Sequence, residues 1–151
     1  MILPVVQHPD PALRALCEPV FDVAGVSGLI SDMLETMYDA SGRGLAAPQV
    51  GRLVRVFVMD CGWKEGPRTP VVMINPEFLS RSQDLQRNEE GCLSIEDHPV
   101  WVERPARIEV MWTDETGAQK RGAFEGIEAA CVQHEMDHLD GVLILDYEDK
   151  A

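Results

Sequence analysis

Gln133-His134-Glu135-Met136-Asp137-His138 decides how the rest of this chain is read. On a helix, residues i and i+4 lie one turn apart on the same face, so His134 and His138 present two imidazoles to a single divalent ion. Glu135 stands beside the first histidine, within reach of water at that ion without being a ligand, which is the division of labour of a hydrolytic metal site. Ile127, Cys131, His134 and His138 recur at i, i+4, i+7 and i+11, predicting a helix after Gly126 whose inward stripe continues into the metal-binding stripe.

Two imidazoles leave an ion short of donors, because a catalytic site typically has three protein ligands and one open position. By type, His8, His98, any of the four cysteines and many carboxylates qualify as the third. Cys92 stands out within Glu89-Glu90-Gly91-Cys92-Leu93-Ser94, where the preceding glycine lets backbone approach a site closely and a metal would stabilise the thiolate.

Gly42-Arg43-Gly44-Leu45-Ala46-Ala47-Pro48-Gln49, Glu90-Gly91-Cys92-Leu93-Ser94 and Gln133-His134-Glu135-Met136-Asp137-His138, in this order and spacing, resemble the three signature motifs of the peptide deformylase family. The resemblance extends from the N-terminal segment to about Tyr147. It implies a hydrolase of N-terminal processing in protein biosynthesis, which removes the N-formyl group from the initiator methionine of nascent proteins and releases formate. It also implies one divalent metal ion per chain, natively Fe(II), with Zn(II) or Ni(II) in preparations. Carried over by residue, Cys92, His134 and His138 are the ligands, and Glu135 is general base and then general acid. The Gln49 side-chain amide and the Leu93 backbone N–H hold the formyl oxygen.

For substrate binding, the expected residues are Arg43, Gly44, Leu45, Ile127, Ala130 and Cys131. The glycines let the chain crowd the reacting centre and let a peptide lie along residues 42 to 44 as an added strand. Ile127, Ala130 and Cys131 precede His134 by seven, four and three residues, so they line an apolar slot for methionine. Glu90 and Arg104 are expected to pair and steady a histidine ligand, with a plain surface salt bridge as the alternative. Cys131 is a rival ligand by position but is expected in the core. No role is assigned to His8, His98, Cys17 or Cys61; Trp101 and Trp112 are expected to pack.

The segment Ser94-Ile95-Glu96-Asp97-His98-Pro99 departs from the family, which commonly has proline two positions after this serine. Its acidic pair is expected to disfavour acidic residues after the substrate methionine. Arg43 and Ala130 stand where aliphatic and larger residues are common, which implies a wider slot with a more polar rim. The resemblance stops short of the long C-terminal helix of many bacterial members, so a short form is expected and ribosome association is left open. Two rival functions stand beside deformylation: an amidase acting on another small N-acyl substrate, and a non-catalytic relative that retains the metal. Glu135 and Gln49 weigh against the latter, since a structural site is usually closed by four ligands and needs no base.

The length of 151 residues fits one catalytic domain over 1–151, burying roughly two-thirds of its unfolded surface. The net charge of −13 disfavours direct nucleic-acid binding. No apolar run approaches the roughly 18 residues of a membrane span. Four widely spaced cysteines without a secretion signal suit free thiols in the cytoplasm, and a monomer is expected.

Periodicity predicts an amphipathic helix over about residues 26 to 40 and paired strands at 54–61 and 71–74. It also predicts a hairpin from Arg107 to Phe124 around Asp114-Glu115-Thr116-Gly117, and Leu143 to Leu145 reads as a closing strand or extended tail. The expected fold class is α+β, with antiparallel strands packed around a central metal-binding helix, peptide deformylase-like.

Overall fold

The computed structural model describes residues 1–148, so the last three residues of the expected 1–151 domain lie outside the described residues. Helix α1 spans Ser27–Asp39 and helix α2 spans Gly126–Leu139. Strands β1 (Gly44–Ala46), β2 (Val56–Met59), β3 (Val71–Arg81), β6 (Arg107–Thr113) and β7 (Gln119–Glu125) form an antiparallel sheet in the order β1-β2-β3-β6-β7. Strands β4 (Leu85–Cys92) and β5 (Ile95–Pro105) form a separate antiparallel hairpin.

The unbroken apolar run of β2 has a structural cause. Phe57 and Met59 pack with Ala129, Val132, Met136 and Leu139 of α2, while Val56 and Val58 pack with Leu29, Ile30, Met33 and Met37 of α1. With both faces covered, the strand gains nothing from polar alternation. Helix α2 is held between this sheet and the hairpin: Gln133 Nε2 donates to the Pro105 carbonyl at 3.0 Å, and Gln86 Nε2 donates to the Gly126 carbonyl at 2.9 Å. Gly126 turns β7 into α2 with φ +60°, a left-handed conformation that a side chain would strain.

The expected α1, the β2–β3 pair, the β6–β7 hairpin and α2 are all present, most with boundaries moved by one or two residues, whereas β3 runs on to Arg81, well past the expected 71–74. The turn Asp114 to Gly117 is tied by Asp114 Oδ1, which accepts from the amides of Thr116 and Ala118. The end of the chain corrects the reading of Leu143 to Leu145. Ile144–Tyr147 is a 3-10 turn because Asp146 Oδ2 accepts from the Leu143 amide at 3.0 Å, and Leu143 and Ile144 bury against Leu13, Val100 and Val102. Trp101 is also corrected: between buried Val100 and Val102, strand alternation turns it outward, 51% exposed, with Arg87 stacked on its ring.

Candidate active site

Cys92 at the end of β4 and the two histidines of α2 converge, although 42 and more residues separate them in the chain. Their ligand atoms all lie within 4.8 Å of one another. Cys92 Sγ is 3.4 Å from His138 Nε2, and the two imidazole centroids are 5.1 Å apart. His134 Nδ1 lies 2.9 Å from Glu90 Oε1, so with its proton there it donates to the carboxylate and keeps Nε2 for the cluster. One half-buried sulfur and two imidazoles whose ligand atoms converge are a donor set that fits a borderline-soft divalent ion with a corner left over.

Glu90 does not act alone. Arg104, 3% exposed, grips it with two hydrogen bonds, Nε to Oε2 at 2.7 Å and Nη2 to Oε1 at 2.9 Å. Arg104 Nη1 also donates to Asp137 Oδ2 at 2.9 Å, and the Tyr147 hydroxyl donates to the same oxygen at 2.7 Å. Burial alone would raise the Glu90 pKa, but hydrogen bonds from Arg104 and His134 outweigh it and hold the carboxyl below its ordinary range. This is the expected Glu90–Arg104 pair, buried rather than a surface bridge, and extended by Asp137 and Tyr147, which the sequence reading missed.

Their surroundings push the two histidines in opposite directions. Burial pushes His134 down, yet the charge of Glu135 and the hydrogen bonds to Cys92 and Glu90 carry it well above the ordinary value. His138 is driven well below it by burial and by the charges of His134 and Arg104. Burial is also the main force on Glu135, pushed up to about 7. Its Oε1 is buried without a protein partner, as is His138 Nδ1.

A cavity of about 420 Å³ opens onto this cluster, bounded by residues 41–44, Gln49, residues 88–93 and the α2 face that carries Ile127, Ala130, Cys131, His134 and Glu135. Arg43, Gly44, Ile127, Ala130 and Cys131, the residues expected at the substrate, line this cavity, with Ile127 60% exposed. Leu45 does not line it. Alternation along β1 turns Gly44 toward Glu135 and Leu45 into the α1-side core, fully buried. Glu96 and Asp97 are exposed and outside the cavity lining, whose carboxylates are Glu89, Glu90 and Glu135.

Gln49 is 1% exposed, so it is no solvated glutamine. Its Oε1 accepts from the Ala46 amide at 3.0 Å, which aims Nε2 at Ser94 Oγ (3.1 Å) and Cys92 Sγ (3.6 Å). Ser94 was missed as the partner that fixes this amide. The loop carrying Leu93 is pinned from the N-terminal segment, with Gln7 Nε2 donating to the Leu93 carbonyl and the His8 amide to that of Ser94. Arg43 leans outward into an ion pair with Glu65 at 2.6 Å. His98 pairs with Glu148 outside the cavity lining, whereas Cys61, given no role, lines the cavity.

A sequence model of the family described as polypeptide deformylase matches residues 2–151. The peptide deformylase of Afipia carboxidovorans is 48% identical over 147 residues, covering 97% of this chain and 86% of that protein. That of Rhizobium meliloti is 46% identical over 150 residues, covering 99% and 86%. Among solved structures, peptide deformylase from Thermotoga maritima superposes with a TM-score of 0.91 at 42% identity, covering 97% of both chains. The Synechococcus elongatus enzyme in complex with actinonin gives 0.92 at 41% identity, covering 96% of this chain and 79% of that one.

Proposed function

Because the chain belongs to the polypeptide deformylase family, we infer that it is a metal-dependent hydrolase that removes the N-formyl group from the initiator methionine of nascent proteins. The observation that carries the reading is the convergence of Cys92, His134 and His138 beside a buried, unpartnered Glu135 oxygen at the floor of an open cavity.

In this proposal Cys92, His134 and His138 hold one ion. When bound, the ion supplies Lewis acidity that polarises the formyl carbonyl and acidifies water beside it. Glu135 takes a proton from the attacking water and later gives it to the departing amine. A carboxyl raised toward 7 by burial is matched to both halves of that task, and a neighbouring cation draws it lower, toward the base form. Gln49 Nε2 and the Leu93 N–H donate to the formyl oxygen as negative charge develops there, and such a donor is worth about 3 to 4 kcal/mol. Gln49 is held for this by Ala46 and Ser94, so little reorganisation accompanies the reaction.

The substrate peptide lies along the free edge of β1, and its methionine side chain enters the slot walled by Ile127, Ala130 and Cys131. Arg43 and Gly44 form the opposite wall, while Glu90 and Arg104 hold His134 in place. One chain carries all three donors, which supports one ion per chain, and a monomer is the proposed state. Among the described residues no helix is long and apolar enough to cross a membrane. The cytoplasm, where nascent chains emerge, is the proposed place of action, and ribosome association is a matter for binding measurements. One sulfur and two nitrogen donors suit Fe(II), Zn(II) and Ni(II) alike; family membership makes Fe(II) the proposed native ion.

The test is anaerobic formate release from formyl-Met-Ala and from acetyl-Met-Ala, with elemental analysis, for the parent and Glu135→Gln. Stoichiometric metal in both proteins with formate from the parent alone is expected. Metal without turnover in either, or faster cleavage of the acetyl substrate, overturns the reading.

A further inference from the structure

The loop between β2 and β3 carries a tryptophan that the proposed chemistry does not use. Trp63 is half-buried, and it packs on Tyr38 and Arg68 rather than on the core clusters. Its ring meets that of Tyr38 edge-on, with centroids 5.2 Å apart and planes at 87°, and the Arg68 guanidinium lies 4.0 Å over Tyr38 and 5.3 Å over Trp63. Both sides of this stack are tied to one buried carboxylate. The Tyr38 hydroxyl donates to Asp60 Oδ2 at 2.6 Å, and the Thr69 amide donates to the same oxygen at 2.9 Å.

Held in this way, Trp63 Nε1 donates to the Gly42 carbonyl at 2.9 Å. The Gly42 amide is engaged as well, donating to the Met37 carbonyl at 2.9 Å where α1 ends. Arg43 is gripped by the same loop, because its guanidinium donates to both carboxylate oxygens of Glu65, at 2.6 and 3.0 Å, and to the Cys61 carbonyl. We propose that Trp63 is a positioning residue for substrate binding, which through the Gly42 carbonyl fixes the Arg43–Gly44 edge that the formyl peptide joins as an added strand. This rests on the deformylase reading and names the group that prepares its binding edge.

The direction of the peptide follows from what stands at each end of that edge. Gly44 faces Glu135, and β1 leads on through Ala46 to Gln49, whose amide reaches Cys92 and Ser94. The formyl end therefore lies at the Gly44–Gln49 end, and the residues after methionine run back past Arg43 toward Gly42, antiparallel to β1. Both backbone groups of Gly42 are engaged within the protein, so the pairing edge closes there.

Gly42, Arg43 and Gly44 all line the cleft, and the two glycines give this segment more backbone freedom than other residues would. Freedom frozen during binding lowers affinity, and Trp63 removes it beforehand. The metal ligands and Gln49 are held by other contacts. Loss of the indole N–H should accordingly raise KM and spare kcat.

The experiment compares the parent with Trp63→Phe, which keeps a ring against Tyr38 and loses the donor, both stoichiometrically loaded with zinc. Formate release is measured from formyl-Met-Ala-Ser and from formyl-methioninamide, which ends before the Gly42 side of the edge. For formyl-Met-Ala-Ser, KM is expected to rise about fivefold with kcat within about twofold, whereas both constants for formyl-methioninamide stay within about twofold. An unchanged KM for the longer peptide, an equal rise for both substrates, or a matching fall in kcat overturns the proposal. No formate from the parent with either substrate overturns the deformylase reading instead. Calorimetric titration with the product peptide Met-Ala-Ser reads the edge without turnover: binding about fivefold weaker in Trp63→Phe is expected, and equal affinity in the two proteins overturns the role of Trp63.

Discussion

Replacing Gly44 by alanine tests whether the close approach of β1 to Glu135 sets the position of the proposed base. The added β-carbon would stand 2.5 Å from Glu135 Oε2, 3.0 Å from its Cδ and 3.2 Å from Cys131 Sγ. Ordinary contact begins near 3.4 Å, so the carboxylate must retreat by about 1 Å, a displacement that typically lowers catalysis about 100-fold, or about 2.7 kcal/mol in barrier. Stability changes by no more than about 2 kcal/mol. Lost backbone freedom in the unfolded chain and a buried methyl contribute about 1 to 2 kcal/mol, and overpacking of about 1 to 3 kcal/mol offsets them. Cys92, His134 and His138 are not touched, so metal content stays stoichiometric. Formate release gives kcat/KM, urea unfolding gives stability, and elemental analysis gives metal. A variant within twofold of the parent in kcat/KM would refute the placement of Glu135, and one that loses its metal would refute the independence of base and ligands.

Glu90→Gln removes the charge that steadies both His134 and Arg104, and metal affinity measured by chelator competition should fall about 10- to 100-fold; unchanged affinity would leave the buried network without a role at the metal. In metal-free protein, Glu135 at about 7 lies above its ordinary 4.5, so the folded state binds more protons than the unfolded one between those values and loses stability as pH rises through them. Urea unfolding should therefore show Glu135→Gln gaining on the parent from little at pH 5 to about 3 kcal/mol above pH 7, and a pH-independent difference would contradict the shift. With Fe(II) as the native ion, anaerobic purification should yield higher specific activity than aerobic purification, because oxygen attacks the ion and its thiolate.

Much of this was legible in the chain because it is written in local periodicity. Helix α1, the doubly buried β2 and the β6–β7 hairpin all follow from apolar spacing, and the His134–His138 pair follows from helix geometry. The β4–β5 hairpin was hidden for a physical reason. Gln86, Asn88, Glu90 and Cys92 alternate along β4 as any half-buried strand does, but they are polar because that face serves the site, and a search for apolar alternation passes over them. The partners that complete the site come from long-range contacts with no local signature. Asp137 lies inside the decisive motif, but its contact with Arg104 follows from the burial of that arginine, which only the structure shows. Tyr147 and Cys61 carried no local signal. Leu45 was misplaced because a shared motif assigns neighbouring residues together, while strand alternation sends Gly44 and Leu45 to opposite faces.

The central claim is that one sulfur and two ring nitrogens meet at a single ion with a corner left for solvent. X-ray absorption on the anaerobically loaded enzyme tests it directly. For the zinc form, the expected shell is one sulfur at about 2.3 Å, two imidazole nitrogens at about 2.0 to 2.1 Å and one further light atom, with the sulfur lost in Cys92→Ser. A shell without sulfur, one with two sulfurs drawn from Cys92 and Cys131, or a sulfur that persists in Cys92→Ser would contradict it.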